Sequence, residues 1–288
     1  MVMVEHAATS SLLVAVFDGH GVQGHDVSGF VARTFVTLLL RDPRFAAAGG
    51  DLCAALSDSL LAAEAAMLRE PSIDASLSGS TAAAAIVRGR RLWAIGVGDS
   101  RIVLGARRRG AGAPSVQAHP VSHDHKPDLP AEKKRILAAG GRVMATRNRM
   151  APHIVGPARV WLRDVPAPGL AMSRSLGDLV AKAAGVISTP DRYTAELGGA
   201  ARVLLLASDG LWDFVPNQEA VDGAVQAAAD SRRLAELEAA HTEAKGRGRD
   251  AAAEAQDAAR SLMRVARARW LQRTGGSDDI TIVCVLMA

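Results

Sequence analysis

Short apolar runs bounded by glycine and aspartate punctuate the chain. The runs at 12–17, 203–207 and 280–287 read as buried strands, too short for helices and flanked by turn-forming residues. Elsewhere the period changes. Val27, Phe30, Val31, Phe35, Leu38 and Leu39 recur at helical spacing and predict an amphipathic helix over 25–40. A second helix is predicted over 52–68, stopped by Pro71. Residues 80–87, 92–97 and 102–105 read as consecutive strands, the first two joined by a tight turn at 88–91. Pro130 and the Gly140-Gly141 pair bracket a short helix over 131–139. The stretch 142–169 carries four prolines before Gly169 and little periodicity, and reads as a long irregular flap. Asn217 is placed to cap a helix running through 228. An alanine-rich segment follows over 231–272, with its polar middle, 245–249, bulging out. No repeat or linker interrupts this order, so a single domain over 1–288 is expected.

Acidic or acid-adjacent signatures sit at the ends of these runs: Asp18-Gly19-His20-Gly21, Gly98-Asp99-Ser100-Arg101, Ser175-Leu176-Gly177-Asp178, Ser208-Asp209-Gly210 and Asp278-Asp279-Ile280-Thr281. An Asp-Gly pair taken alone is most often a turn. Carboxylates at strand ends, however, can converge on one edge of a sheet although distant in sequence. Gathered there without compensation they repel each other, unless hard cations lie between them. The joint pattern points to a magnesium or manganese site suited to phosphate.

Composition narrows the field. The chain has 288 residues, 49% hydrophobic and only 3% aromatic, with a formal net charge of +4. It can bury a sizeable core. Its arginine groups, 88–91 and 107–109, lie beside or around glycine and read as solvated turns, so no nucleic-acid partner is expected. No stretch approaches the roughly 20 apolar residues of a membrane span, so no membrane partner is expected either. Cys53 and Cys284 lie in apolar settings and read as reduced core residues of an intracellular protein, cytoplasmic or nuclear. A monomer is expected.

Eight stretches in order carry a family resemblance. They are 16–21 (Val-Phe-Asp-Gly-His-Gly), 79–82 (Gly-Ser-Thr-Ala), 97–101 (Val-Gly-Asp-Ser-Arg), 124–127 (Asp-His-Lys-Pro), 138–143 (Ala-Ala-Gly-Gly-Arg-Val), 168–178 (ending Ser-Arg-Ser-Leu-Gly-Asp), 207–213 (Ala-Ser-Asp-Gly-Leu-Trp-Asp) and 278–281 (Asp-Asp-Ile-Thr). The chain resembles a metal-dependent Ser/Thr protein phosphatase of the protein phosphatase 2C family, in the plant and algal style. The resemblance implies an α+β fold: a four-layer α-β-β-α sandwich of two mainly antiparallel sheets flanked by helices. It also implies phosphoserine and phosphothreonine in proteins as substrates, hydrolysed by a metal-bridged hydroxide.

By matching position, Asp18 would bridge two Mg2+ or Mn2+ ions, and the Gly19 carbonyl would ligate one of them. Asp209 and Asp278 would complete the other shell, and Asp99 with Asp209 would form a weaker third position. Two such ions roughly 3.5–4 Å apart activate water and clamp phosphate. His20 would be the general acid for the departing alkoxide. For Asp99 a salt bridge to Arg101 stands beside the metal reading. Asp178 and Arg174 read as structural supports, and His125 and Lys126 as braces of a loop.

The resemblance departs at the N-terminus. Family members carry an earlier strand with a phosphate-gripping Arg and acidic residues behind it. Here residues 1–11 hold no Arg and one acid, Glu5. The N-terminal strand is therefore expected to be missing and the chain N-terminally truncated. An alternative follows: a catalytically weak or inactive phosphatase-like domain that binds phosphoproteins. A third reading, another magnesium-dependent phosphoryl-transfer enzyme, meets no Gly-rich P-loop to support a nucleotide. Val155 stands where the hormone-regulated plant branch has a flap Trp, which disfavours regulation by that receptor.

Overall fold

A computed structural model describes residues 1–107, 116–147, 155–241 and 251–287. The chain opens with β1 (Val2–His6), which a 3-10 turn (Ala7–Thr9) folds back onto β2 (Ser11–Val16). After the Asp18 corner come β3 (Gly19–His20), α1 (Gly24–Arg41), the one-turn α2 (Pro43–Ala46) and α3 (Leu52–Met67). Then β4 (Gly79–Ser80), β5 (Ala82–Arg88), β6 (Arg91–Val97), β7 (Arg101–Arg107) and β8 (Val116–Pro120) lead to α4 (Pro130–Ala138). Next are β9 (Arg142–Arg147), β10 (Val155–Trp161), β11 (Pro168–Leu170), β12 (Leu176–Gly177), the short α5 (Leu179–Lys182) and β13 (Asp191–Glu196). The chain closes with β14 (Ala201–Ala207), α6 (Asp209–Trp212), α7 (Asn217–His241), α8 (Ala251–Thr274) and β15 (Ile282–Leu286).

Two sheets form the centre, ordered β1-β2-β5-β6-β13 and β15-β14-β7-β8, and every pairing within them is antiparallel. Side-chain alternation explains the unbroken apolar runs. On β2, Leu13 and Ala15 join the cluster with α1 and α3, while Val14 and Val16 face the inter-sheet core. On β14, Val203, Leu205 and Ala207 pack under α7 and α8, while Leu204 and Leu206 meet Val14 and Val16 across the sandwich. Strands apolar on both faces belong where layers cover both sides. The four layers α-β-β-α are present as expected.

Three expectations need correction. A strand does precede the run at 12–17, although it carries no Arg: β1 pairs along its whole length with β2, from Val2 opposite Ala15 to His6 opposite Ser11. Val2 and Val4 pack on the helix-side core while Met3 and Glu5 point to solvent. Its period-2 alternation, with only five residues, lacks the continuous apolar run that marks the inner strands. Glu5 lies opposite Leu12, at the end of β2 away from Asp18.

Among its described residues, the stretch 142–169 is not irregular. It builds a three-stranded antiparallel sheet, β11-β10-β9, with Arg142 opposite Trp161 and Val160 opposite Leu170. Pro157 falls where the β9–β10 register shifts, between Val155 and Ala158, and Pro166 lies in the β10–β11 turn, so neither removes a needed ladder donor. Asn217 begins a helix that runs on to His241, well past 228. Its Oδ1 accepts from Arg101 Nη1 at 2.7 Å. The polar stretch 245–249 lies outside the described residues.

Candidate active site

The expected ligands meet at one rim of the sandwich, because the strands that precede them end there. Asp18 follows β2 and is clasped to the start of β5: its carbonyl accepts from Thr81 N (2.9 Å), and its own N–H donates to Thr81 Oγ1 (3.1 Å). Thr81 Oγ1 shares a hydrogen bond with Ser100 Oγ (2.6 Å), which ties in the turn carrying Asp99. Asp209 opens α6 directly after β14. Ser208 Oγ donates to the Asp279 carbonyl (3.1 Å), and Thr281 N donates to Ser208 Oγ (3.1 Å), so the 278–279 pair lies against Asp209. Gly210 is packed so tightly there that a Cβ would stand 2.3 Å from the Asp279 carbonyl oxygen.

The electrostatics are those of an uncompensated acidic cluster. Burial raises the Asp18 carboxyl above its ordinary value. A hydrogen bond with Asp209 and the charge of His20 oppose the rise, while Asp99 and Asp278 reinforce it. Burial also raises Asp209, and Asp99, Asp18, Asp213 and Asp278 add to the effect. Asp18 and Asp209 thus lie together in a place where negative charge is costly. A hard cation there would favour the ionised carboxylates, so the donor chemistry fits Mg2+ or Mn2+. Among the described residues no three such side chains are already drawn into an ion-holding group.

Asp99 is buried, and its partner is Lys126, with Nζ 2.6 Å from Oδ2. The salt bridge considered for Asp99 and Arg101 does not form. Arg101 instead makes a two-pronged pair with Asp124, at 2.7 and 2.6 Å, and lies over Trp212. Arg174, read as a structural support, and His125, read as a loop brace, are both tied to neighbouring groups. Arg174 pairs with Glu132 and Asp191, and His125 Nδ1 accepts from Gly98 N at 3.1 Å.

His20 stands beside the cluster on β3. Its Nε2 lies 2.6 Å from Oδ2 of Asp178, which is buried. Burial disfavours the imidazolium, but the Asp178 hydrogen bond and charge, with Asp99 and Asp18, outweigh it and raise the group above its ordinary value. A small sheet, β12-β4-β3, makes this contact possible: Gly177, Gly79 and His20 lie in one transverse row. A Cβ on Gly79 would meet Asp178 Oδ2 at 2.1 Å, so only glycine lets the carboxylate pass.

His20 and Asp178 open onto a cavity of about 320 Å³, whose lining also includes Arg159, Leu170 and Met172. Arg159, on β10, donates from Nη1 to the Gly169 carbonyl at 2.7 Å. Among the described residues no carboxylate pairs with it, whereas Arg101, Lys126 and Arg174 are all neutralised.

Sequence reasoning assigned no role to Arg159 or Asp213, and did not link Asp178 to His20. Asp213 follows Asp209 by four residues, and its N–H donates to the Asp209 carbonyl at 2.9 Å. That spacing puts both on one helical face, which was the available signal. The His20–Asp178 contact is a long-range pairing without a sequence signature, and nothing in the sequence marks Arg159.

A four-layer sandwich with an acidic rim and a carboxylate-held histidine defines a phosphatase-type domain. The chain belongs to the protein phosphatase 2C family, whose profile matches residues 3–271. It is 35% identical over 284 residues to "Probable protein phosphatase 2C 64" of Oryza sativa subsp. japonica, covering 96% of this chain and 58% of that protein. To "Probable protein phosphatase 2C 61" of Arabidopsis thaliana it is 32% identical over 277 residues, covering 95% and 74%. The chain therefore spans less than two thirds of the rice relative. Among solved structures, a serine-threonine phosphatase 2C from Toxoplasma gondii shares the fold with a TM-score of 0.75 at 23% identity, over 96% of this chain and 85% of that one.

Proposed function

We propose that the chain hydrolyses phosphoserine and phosphothreonine in proteins, with His20 as the general acid. The observation that carries this reading is the 2.6 Å contact between His20 Nε2 and Asp178 Oδ2, beside the acidic rim. Asp18, the Gly19 carbonyl, Asp209 and Asp278 would hold Mg2+ or Mn2+, with Asp99 and Asp213 beside Asp209. Bound there, the ions supply an activated water and neutralise phosphate charge.

The protein's own groups do the rest. With Nε2 held by Asp178, Nδ1 of the imidazolium is left to pass a proton to the departing Ser or Thr oxygen. The raised affinity of His20 for its proton favours the charged acid. Arg159, which has no carboxylate partner among the described residues, offers its guanidinium to the anionic substrate, and a planar fork suits phosphate or carboxylate. Leu170 and Met172 wall the cavity and help exclude water.

The pairing of Asp99 with Lys126, which already engages one carboxylate of the rim, favours a second reading, a domain that binds phosphoproteins without turning them over. The test is phosphate release from a phosphothreonine peptide and from an aryl phosphate, with Mn2+ and with a chelator. Chelator-sensitive release, slowed about 10²–10⁴-fold on the peptide by His20→Ala but far less on the aryl ester, supports the enzyme, because phenolate leaves without a proton. Peptide binding by folded protein without any release supports the second reading. Arg159→Ala should raise the peptide KM.

A further inference from the structure

We propose that Glu64 is a positioning residue for this reaction, holding the Gly177–Asp178 turn at the setting from which Asp178 can hold His20. The inference rests on the phosphatase reading above. Glu64 lies near the end of α3, an apolar helix whose Leu60, Ala63 and Met67 are wholly buried, and it is itself buried. A carboxylate in such a place is costly unless its oxygens are satisfied. Its Oε1 accepts from Gly177 N (2.9 Å) and Ser188 Oγ (2.6 Å), with Lys182 Nζ at 3.5 Å. Lys182 Nζ in turn donates to Ser188 Oγ and to the Ser175 carbonyl, both at 2.5 Å. Of these partners Gly177 adjoins Asp178, and Ser175 and Lys182 lie three and four residues from it.

The turn they hold is one the chain would not adopt unaided. Gly177 has φ +77° and Asp178 φ +49°, two successive residues in the left-handed region. For a non-glycine residue that conformation costs on the order of 1–3 kcal/mol and persists where its surroundings fix it. Two hydrogen bonds do so: Gly177 N to Glu64 from one side, and Asp178 N to the Ser78 carbonyl (3.0 Å) from the other. The transverse row Gly177–Gly79–His20 then carries that setting straight to the acid. Deleting the acceptor leaves a buried N–H unpaired and frees the turn, while the acidic rim, which Glu64 does not touch, keeps its residues.

The experiment compares Glu64→Ala, Glu64→Asp and Glu64→Gln at saturating Mn2+, on a phosphothreonine peptide and an aryl phosphate. Glu64→Asp pulls the acceptor back by one methylene and serves if the alanine variant fails to fold. Both should lose about 10-fold in kcat on the peptide, part of the ~10²–10⁴ a general acid supplies, with KM and aryl ester turnover nearly unchanged. Glu64→Gln keeps an oxygen for Gly177 N–H and should recover most of the peptide rate. A second readout needs no turnover: the His20 Nε2 proton resonance should keep its position in Glu64→Gln and move in Glu64→Asp. Equal losses on both substrates, or an unmoved resonance, would overturn the proposal. If the unmodified chain turns over neither substrate with Mn2+, the phosphatase reading fails instead, and the resonance alone decides the positioning role.

Discussion

Lys126 Nζ rests 2.6 Å from Asp99 Oδ2, so one carboxylate of the acidic rim already has a cation of its own. That ammonium competes with any divalent ion for Asp99. Lys126→Met should lower the melting temperature of the metal-free protein, because a buried carboxylate then stands unpaired. It should also enlarge the temperature gain that Mn2+ confers. Thermal melts of both proteins with and without Mn2+ check this, and an unchanged Mn2+ increment counts against it.

The raised Asp18 and Asp209 carboxyls make the metal-free fold pH-dependent in an unusual direction. In the pH range between their ordinary and raised values the folded protein binds more protons than the unfolded chain, so stability falls as pH rises. Metal-free protein should therefore grow more stable as pH drops from neutral toward 5. Asp209→Asn should flatten that slope and abolish Mn2+ binding measured by calorimetry.

Asp178 should govern the alkaline side of the peptide pH–rate profile. His20 is raised above its ordinary value, so activity that needs the imidazolium persists at higher pH than a free histidine would allow and declines above the raised value. Asp178→Asn removes the main supporting charge and should move that decline to lower pH. The aryl phosphate profile should keep its alkaline limb in place.

A separate acid dependence comes from Glu132. Burial works against its charge, but hydrogen bonds from Arg174, Ser173 and Arg135 win and lower it to about 2. A depressed carboxyl stabilises the fold above its ordinary value near 4.5, and that contribution is lost as pH falls toward about 2. Glu132→Gln should be less stable at neutral pH and should lose less on acidification, as denaturant melts across this range would show.

The parts of the fold legible in the sequence are those whose environment is set by layers on both sides. Leu12 to Phe17 announces β2 because helices cover one face and the second sheet the other. The helix predicted over 25–40 appears as Gly24–Arg41 for the same reason: Val27, Val31, Phe35 and Leu39 all enter one core. β9 and β10 were hidden by arginines and prolines on a sheet that stands off the sandwich, where backbone pairing rather than burial defines the strands. The carboxylates at strand ends were visible as motifs. Their electrostatic partners, Lys126 for Asp99 and Asp178 for His20, were not, because each pairing depends on how distant loops fold back.

The glycine row has a consequence for when chemistry can begin. His20 and Asp178 are separated by 158 residues, and the strand between them, with Gly79, comes from a third part of the chain. No fragment that stops short of residue 178 holds the pair. The acid is assembled rather than inherited from a local motif, so a nascent or partly unfolded chain carries the Asp-Gly-His-Gly sequence without its proton donor in place. Activity on the peptide should thus appear together with global folding, and the ratio of peptide to aryl ester turnover becomes a gauge of how complete the tertiary structure is.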